Sequence, residues 1–275
     1  MDIIDRGSGP PLVLIPGLQG RWEYLRPAVD ALSVFFRVLT FSLGDGDLDA
    51  YAQQVTSVLS RKGIDRATIC GVSFGGLVAV RFAAQNPARC DALVLASTPR
   101  PALRLRRRHQ IYVSAPWLFG PIFLAESPLR LRPEICAAIP DTRARGQFVL
   151  QGLRTLLSAP VSLSRMAARA KLISLVDLGP ECERITAPTL VLTGERHLDH
   201  VVPVEGAVEY VRLIPGARAS VVERTGHLGS ITRPDLFAAM IRDFVAAGAA
   251  SRAASGSRDD RAAQAETAST AGRVA

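Results

Sequence analysis

Apolar positions in this chain follow two different periods. Short, nearly continuous apolar runs at residues 12–15, 37–41, 67–72 and 92–96 carry Val, Ile, Leu and Phe and are bounded by polar or turn-forming residues. Runs of that length predict strands buried on both faces. Between them, residues 48–61 and 74–85 space their apolar side chains as helices do. The second of these helices should stop at Gln85, because Asn86 precedes Pro87 and a residue before proline is disfavoured in the α region. Strands alternating with helices imply βαβ units, hence an α/β fold with a mainly parallel sheet flanked by helices.

The alternation lapses and then resumes. Residues 101–184 lack β-branched runs, hold several prolines, and contain helix-compatible stretches at 146–157 and 163–175. They predict a helical insertion. Strand at 189–193, helix at 204–213, strand at 219–223 and helix at 234–246 restore the first pattern. From residue 247 the chain turns to Ala, Ser, Gly, Arg and Asp without apolar periodicity, which predicts a disordered tail. The expected division is a core of residues 1–100 and 185–246, an insertion at 101–184, and a tail at 247–275.

Composition narrows the classes. The 275 residues are 48% hydrophobic, which suits a globular domain with a large core. No apolar run approaches the roughly 20 residues that span a bilayer, so no membrane partner is expected. The first residues, Met1-Asp2-Ile3-Ile4-Asp5-Arg6, lack a basic stretch followed by an apolar one, which points to the cytoplasm. Cys70, Cys90, Cys136 and Cys182 are widely spaced and form no CxxC pair, so buried free thiols are expected, with no metal site. The formal charge of +8 is almost all arginine, since Lys62 and Lys171 are the only lysines. Basic residues are not interleaved with aromatics and there is no helix-turn-helix pattern, so nucleic acid is not expected as a partner.

One segment carries chemistry. Thr68-Ile69-Cys70-Gly71-Val72-Ser73-Phe74-Gly75-Gly76 places a serine in a G-x-S-x-G frame between a predicted strand and a predicted helix. On so sharp a strand-to-helix turn, side chains at the flanking positions would clash with neighbouring strands, hence Gly71 and Gly75. The turn lifts the hydroxyl above the sheet and aims the helix N-terminus at developing negative charge. A serine hydroxyl needs a base, and the base needs an orienting acid.

With this segment and several separated others, the chain resembles the α/β-hydrolase family over about residues 8 to 246. The strand at 12–15 runs into Pro16-Gly17-Leu18-Gln19-Gly20, where the family usually has His-Gly. The resemblance implies an oxyanion hole from the backbone N–H groups of Leu18 and Phe74. Pro16 departs from the pattern without removing a main-chain donor. The short stretch before residue 12 leaves little room for the hairpin that opens this fold. The family order, Ser then acid then His, points to His227 in Arg224-Thr225-Gly226-His227-Leu228 as the base. His109 comes too early, and His197 and His200 sit in the preceding loop. For the acid, counting back from Val202-Pro203 reaches Asp199, whereas counting forward from Gly194 reaches His197. Asp199 is the expected acid and Glu195 the alternative, because a loop absorbs two extra residues more readily than the helix that follows changes register.

The resemblance implies ester hydrolysis through an acyl-Ser73 intermediate, without metal or organic cofactor. Related serine chemistries of the same fold remain open: lactonase, carbon–carbon bond hydrolase, acyl-carrier methyl esterase, thioesterase and cofactor-free haloperoxidase. A ligand receptor is the non-enzymatic alternative. Trp22, Tyr24, Trp117, Phe119 and Phe123 are candidates for lining a substrate pocket, and ordinary packing explains them as well. The cluster Arg104, Arg106, Arg107 and Arg108 is either a solvated face or a docking site for an acidic acyl carrier.

Overall fold

The computed structural model of the chain describes residues 2–102 and 116–250, with side chains in the second stretch from residue 126 onward. The arginine cluster, His109, and the side chains of Trp117, Phe119 and Phe123 therefore lie outside the described residues. Seven strands are described: β1 (Ile3–Arg6), β2 (Pro11–Ile15), β3 (Arg37–Phe41), β4 (Ala67–Val72), β5 (Cys90–Ala96), β6 (Thr189–Thr193) and β7 (Arg218–Val221). They form one sheet in the order β1-β3-β2-β4-β5-β6-β7. β1 is antiparallel to β3, and all other neighbours are parallel.

The strands are apolar throughout because both faces are covered. Val13, Ile15, Leu39, Phe41, Ile69, Leu93, Leu95 and Val191 point into one core cluster. Their alternates Leu12, Leu14, Val38, Cys70, Val94, Leu190 and Leu192 point into the other. Helices α2 (Leu48–Arg61) and α3 (Phe74–Gln85) close the first cluster, and α1 (Arg26–Leu32) lies over the second. From β2 the chain crosses to β3 on one side, then returns to β4 on the other. The strand order reverses there, which opens a crevice at the carboxyl ends of β2 and β4.

Between β5 and β6 four helices are described: α4 (Pro116–Ala138), α5 (Thr142–Ser158), α6 (Leu163–Leu175) and α7 (Gly179–Glu183). After β6 follow α8 (Gly206–Leu213), α9 (Gly229–Thr232) and α10 (234–250).

The α/β class, the parallel sheet and the helical insertion agree with the sequence reading, and the differences sit at ends. β1 has no counterpart there; its four residues are too few for a period and are fixed by pairing and by Asp5, which meets both Arg37 and Lys62. The hydrogen bond from Arg37 holds the Asp5 carboxyl down at about 2. α4 runs through Pro121, Pro128 and Pro133, residues that argue against helix in a sequence. α5 starts four residues early because Asp141 caps it, accepting from the Ala144 N–H at 2.6 Å. α10 continues to residue 250 through an alanine-rich stretch of high helix propensity, four residues into the expected tail. Cys70, Cys90 and Cys182 are buried free thiols, and Cys136 is half-buried.

One buried hydrogen bond ties α8 to the end of β5. The Tyr210 hydroxyl donates to the Pro99 carbonyl at 2.6 Å, with the ring fully buried. Tyr210→Phe leaves that carbonyl without its donor and should cost about 1–3 kcal/mol, read from urea or thermal unfolding.

Candidate active site

The β4–α3 turn carries a backbone conformation that side chains rarely adopt. Ser73 has φ 54° and ψ −121°, a conformation that costs a non-glycine residue about 1–3 kcal/mol. Its N–H donates to the Ala96 carbonyl at 2.7 Å, and its own carbonyl accepts from the Gly76 N–H at 2.9 Å. The surrounding glycines are steric necessities. A Cβ on Gly71 would collide with the Gly75 carbonyl, one on Gly75 with the Ile15 carbonyl, and one on Gly76 with the Thr98 side chain. The helix behind Ser73 thus lies closer to its own strand and to β2 than any side chain allows.

His227 reaches this turn from the far end of the sheet. Its Nε2 is 3.1 Å from Ser73 Oγ. On the other side of the ring, Nδ1 is 3.6 Å from Asp199 Oδ2. That is ion-pair range but long for a formed hydrogen bond, and Nδ1 has no other partner among the described residues. Asp199 is held by its own loop: Oδ1 accepts from the N–H groups of Val201 and Val202, each at 2.9 Å. Burial pushes its carboxyl up, but the imidazole of His227 and the two N–H groups outweigh burial and hold it below the ordinary value.

The loops that carry Asp199 and His227 pack backbone against backbone. Cβ atoms on Gly194 or Gly226 would strike the opposite main chain, and the Glu195 N–H donates to the Thr225 carbonyl at 2.7 Å. The Glu195 carboxylate accepts from the Arg224 N–H at 2.6 Å, where the backbone has a positive φ, and lies 3.5 Å from His197 Nε2. The Leu198 and Asp199 N–H groups both return to the Glu195 carbonyl. His197 and His200 are exposed on that loop.

On the opposite side of Ser73 lies the loop after β2. The main chain of Gly17 runs so close that an added Cβ would lie 3.3 Å from Ser73 Cβ. Among the described residues neither the Leu18 N–H nor the Phe74 N–H has an acceptor. Trp22 and Tyr24, shortly after that loop, are half-buried. Trp22 packs on the second core cluster beneath the Arg26 guanidinium and lines a cavity of 430 Å³ with Ser42, Gln54 and Arg165. The Tyr24 hydroxyl donates to the Ala159 carbonyl in the insertion at 3.1 Å.

Two charged residues of the insertion had no signal in the sequence. Arg169 of α6 and Glu134 of α4 are each 1% exposed. Arg169 donates to four main-chain carbonyls at 3.1–3.2 Å: Leu18 and Gln19 in the loop after β2, Leu43 and Gly44 after β3. Its guanidinium sits 5.8 Å from the Tyr51 ring centroid and fills the space left by Gly20. No described carboxylate pairs with it. Glu134 accepts a short hydrogen bond from the Leu228 N–H, immediately after His227. Burial pushes the Glu134 carboxyl up, partly offset by the Leu228 and Gly226 N–H groups and by His227, while Asp199 adds to the rise. An arginine and a glutamate a helix apart carry no spacing motif, so only the folded chain brings them to these loops.

The alpha/beta hydrolase fold profile matches residues 10–234. The chain is 28% identical over 244 residues to a pimeloyl-[acyl-carrier protein] methyl ester esterase from Nitrosomonas europaea, covering 84% of this chain and 94% of the relative. It is 27% identical over 253 residues to a pyrrolizixenacetamide deacetylase from Xenorhabdus hominickii, covering 87% and 92%. Among solved structures, the enol-lactonase from Burkholderia xenovorans LB400 matches with a TM-score of 0.74 at 23% identity, covering 89% and 96%.

Glu134→Ala should cost about 1–3 kcal/mol, because it strands the half-buried Leu228 N–H. Glu134→Gln keeps an acceptor oxygen of the same reach and removes the burial cost of a charge, so its melting temperature should stay near wild type. A Gln variant as unstable as the Ala variant would show that the carboxylate charge, not the acceptor, holds this loop.

Proposed function

The chain belongs to the alpha/beta hydrolase fold family, and from that premise we propose that it is a serine hydrolase that cleaves a carboxylic ester through an acyl-Ser73 intermediate. The observation that carries the proposal is the 3.1 Å approach of His227 Nε2 to Ser73 Oγ, with Asp199 behind the ring. His227 accepts the Ser73 proton as Oγ attacks the acyl carbon. The charge that develops on the acyl oxygen is stabilised by the Leu18 and Phe74 N–H groups and by the N-terminus of α3. His227 then delivers the proton to the departing alcohol, and by the same route activates a water for deacylation. Asp199 fixes the tautomer whose bare nitrogen faces Ser73 and stabilises the imidazolium as it forms. The segment 101–184 acts as a cap over this site and selects the acyl group.

The named relatives act on a methyl ester, an acetamide and an enol-lactone, a range that one acyl-serine mechanism accommodates. The substrate class is therefore resolved by a panel of p-nitrophenyl esters of rising chain length, lactones, amides and carrier-linked esters.

Ser73→Ala should abolish ester turnover with the fold intact, and a fluorophosphonate probe should label the wild type at Ser73 alone; labelling that survives the substitution overturns the assignment. Asp199→Asn should lower kcat roughly 10⁴-fold, since the amide favours the wrong tautomer, while Glu195→Gln should cost less than about tenfold. The reverse ranking would move the acid to Glu195.

A further inference from the structure

Helix α5 reverses the usual arrangement of a surface helix. Val149, Leu150, Leu153, Leu156 and Leu157 stand between 39% and 76% exposed, whereas Thr155 is its buried residue. At about 100° per residue these five side chains share an arc of roughly 120°. Arg143 and Arg154, both exposed, flank one margin of that arc. Arg145 flanks the other and donates to the Ile139 and Pro140 carbonyls. The helix holds no acidic residue.

We propose that α5 docks this protein on an anionic lipid bilayer. Three features select that occupant. The helix stands out as a ridge, exposed on most sides, which fits a flat deformable surface and not a preformed groove. Its groups are ordered as a membrane interface requires: aliphatic side chains in the centre, to enter the headgroup–acyl boundary, and arginines at the margins, to stay with the phosphates. The chain carries +8 overall, which adds long-range attraction to an anionic surface. A second copy of the chain fits poorly, because a two-fold contact through this stripe would bring Arg143 and Arg154 of both copies together. Such binding is peripheral; no described helix is long and apolar enough to cross a membrane. The proposal departs from the sequence expectation of no membrane partner, which rested on the absence of a spanning run and so addressed insertion alone. The proposal is independent of the hydrolytic reading.

The test is co-sedimentation of the full chain with vesicles of phosphatidylglycerol in phosphatidylcholine, and with phosphatidylcholine alone. The wild type should sediment with the anionic vesicles, and less so as salt rises. Leu153→Asp with Leu157→Asp should weaken binding at least about tenfold. Arg143→Gln and Arg154→Gln should each weaken it roughly fivefold. Both sets of variants should keep the wild-type melting temperature, since the residues are exposed. Failure of the wild type to sediment, or undiminished sedimentation of either variant set, overturns the proposal. So does a wild-type dimer in analytical ultracentrifugation that the aspartate variant dissolves, because the occupant would then be a second copy. Capture of an acidic acyl carrier through the same arginines, without vesicle binding, overturns it as well.

Discussion

The positive φ of Ser73 is the constraint on which the rest of the site depends. A serine holds that conformation only where its surroundings leave no alternative, and here they are β4, buried on both faces, and α3, lying against it without an intervening Cβ. Gly71, Gly75 and Gly76 answer to this one turn. So does the reversal of strand order beside it, because β2 must end next to β4 for the loop at Gly17 to reach the serine. The apolar, double-faced sheet supplies the rigidity that keeps the turn from relaxing.

The second theme is charge buried where it meets only main chain. Arg169 and Glu134 leave water without an oppositely charged partner among the described residues, which is costly unless each hydrogen-bonding position is filled. Arg169 meets four carbonyls and an aromatic face, and only its Nε has no acceptor among the described residues; Glu134 meets N–H groups beside His227. One holds the loops after β2 and β3, the other the loop of the imidazole. The two walls of the candidate site are therefore set by the insertion as much as by the sheet.

Legibility in the sequence followed the range of the interactions. Strands and helices of the core were readable because period two and period 3.6 are local signals, and Ser73 because its turn demands glycines at fixed offsets. His227 and Asp199 were readable only through the resemblance, and the choice between Asp199 and Glu195 rested on which side of the loop keeps register. In the structure Asp199 lies beside His227, and Glu195 accepts from the Arg224 N–H. β1 was missed because pairing, not periodicity, makes it a strand. Arg169 and Glu134 were missed because nothing in a sequence marks a charged residue whose partners are backbone atoms more than ninety positions away. The aliphatic face of α5 was counted as helix, but exposure is a property of packing and cannot be read from apolar spacing.

Arg169 also bears on how such a chain can diversify. Insertions between β5 and β6 look like exchangeable parts, since the sheet closes without them. Here the insertion contributes a guanidinium that occupies the gap over Gly20 and answers four carbonyls of the core. A recombinant that imported another insertion would inherit four stranded acceptors and a hole, whatever specificity the new helices brought. The heritable unit is thus insertion and loop together, and variation that respects this pairing is confined to the surfaces Arg169 does not touch.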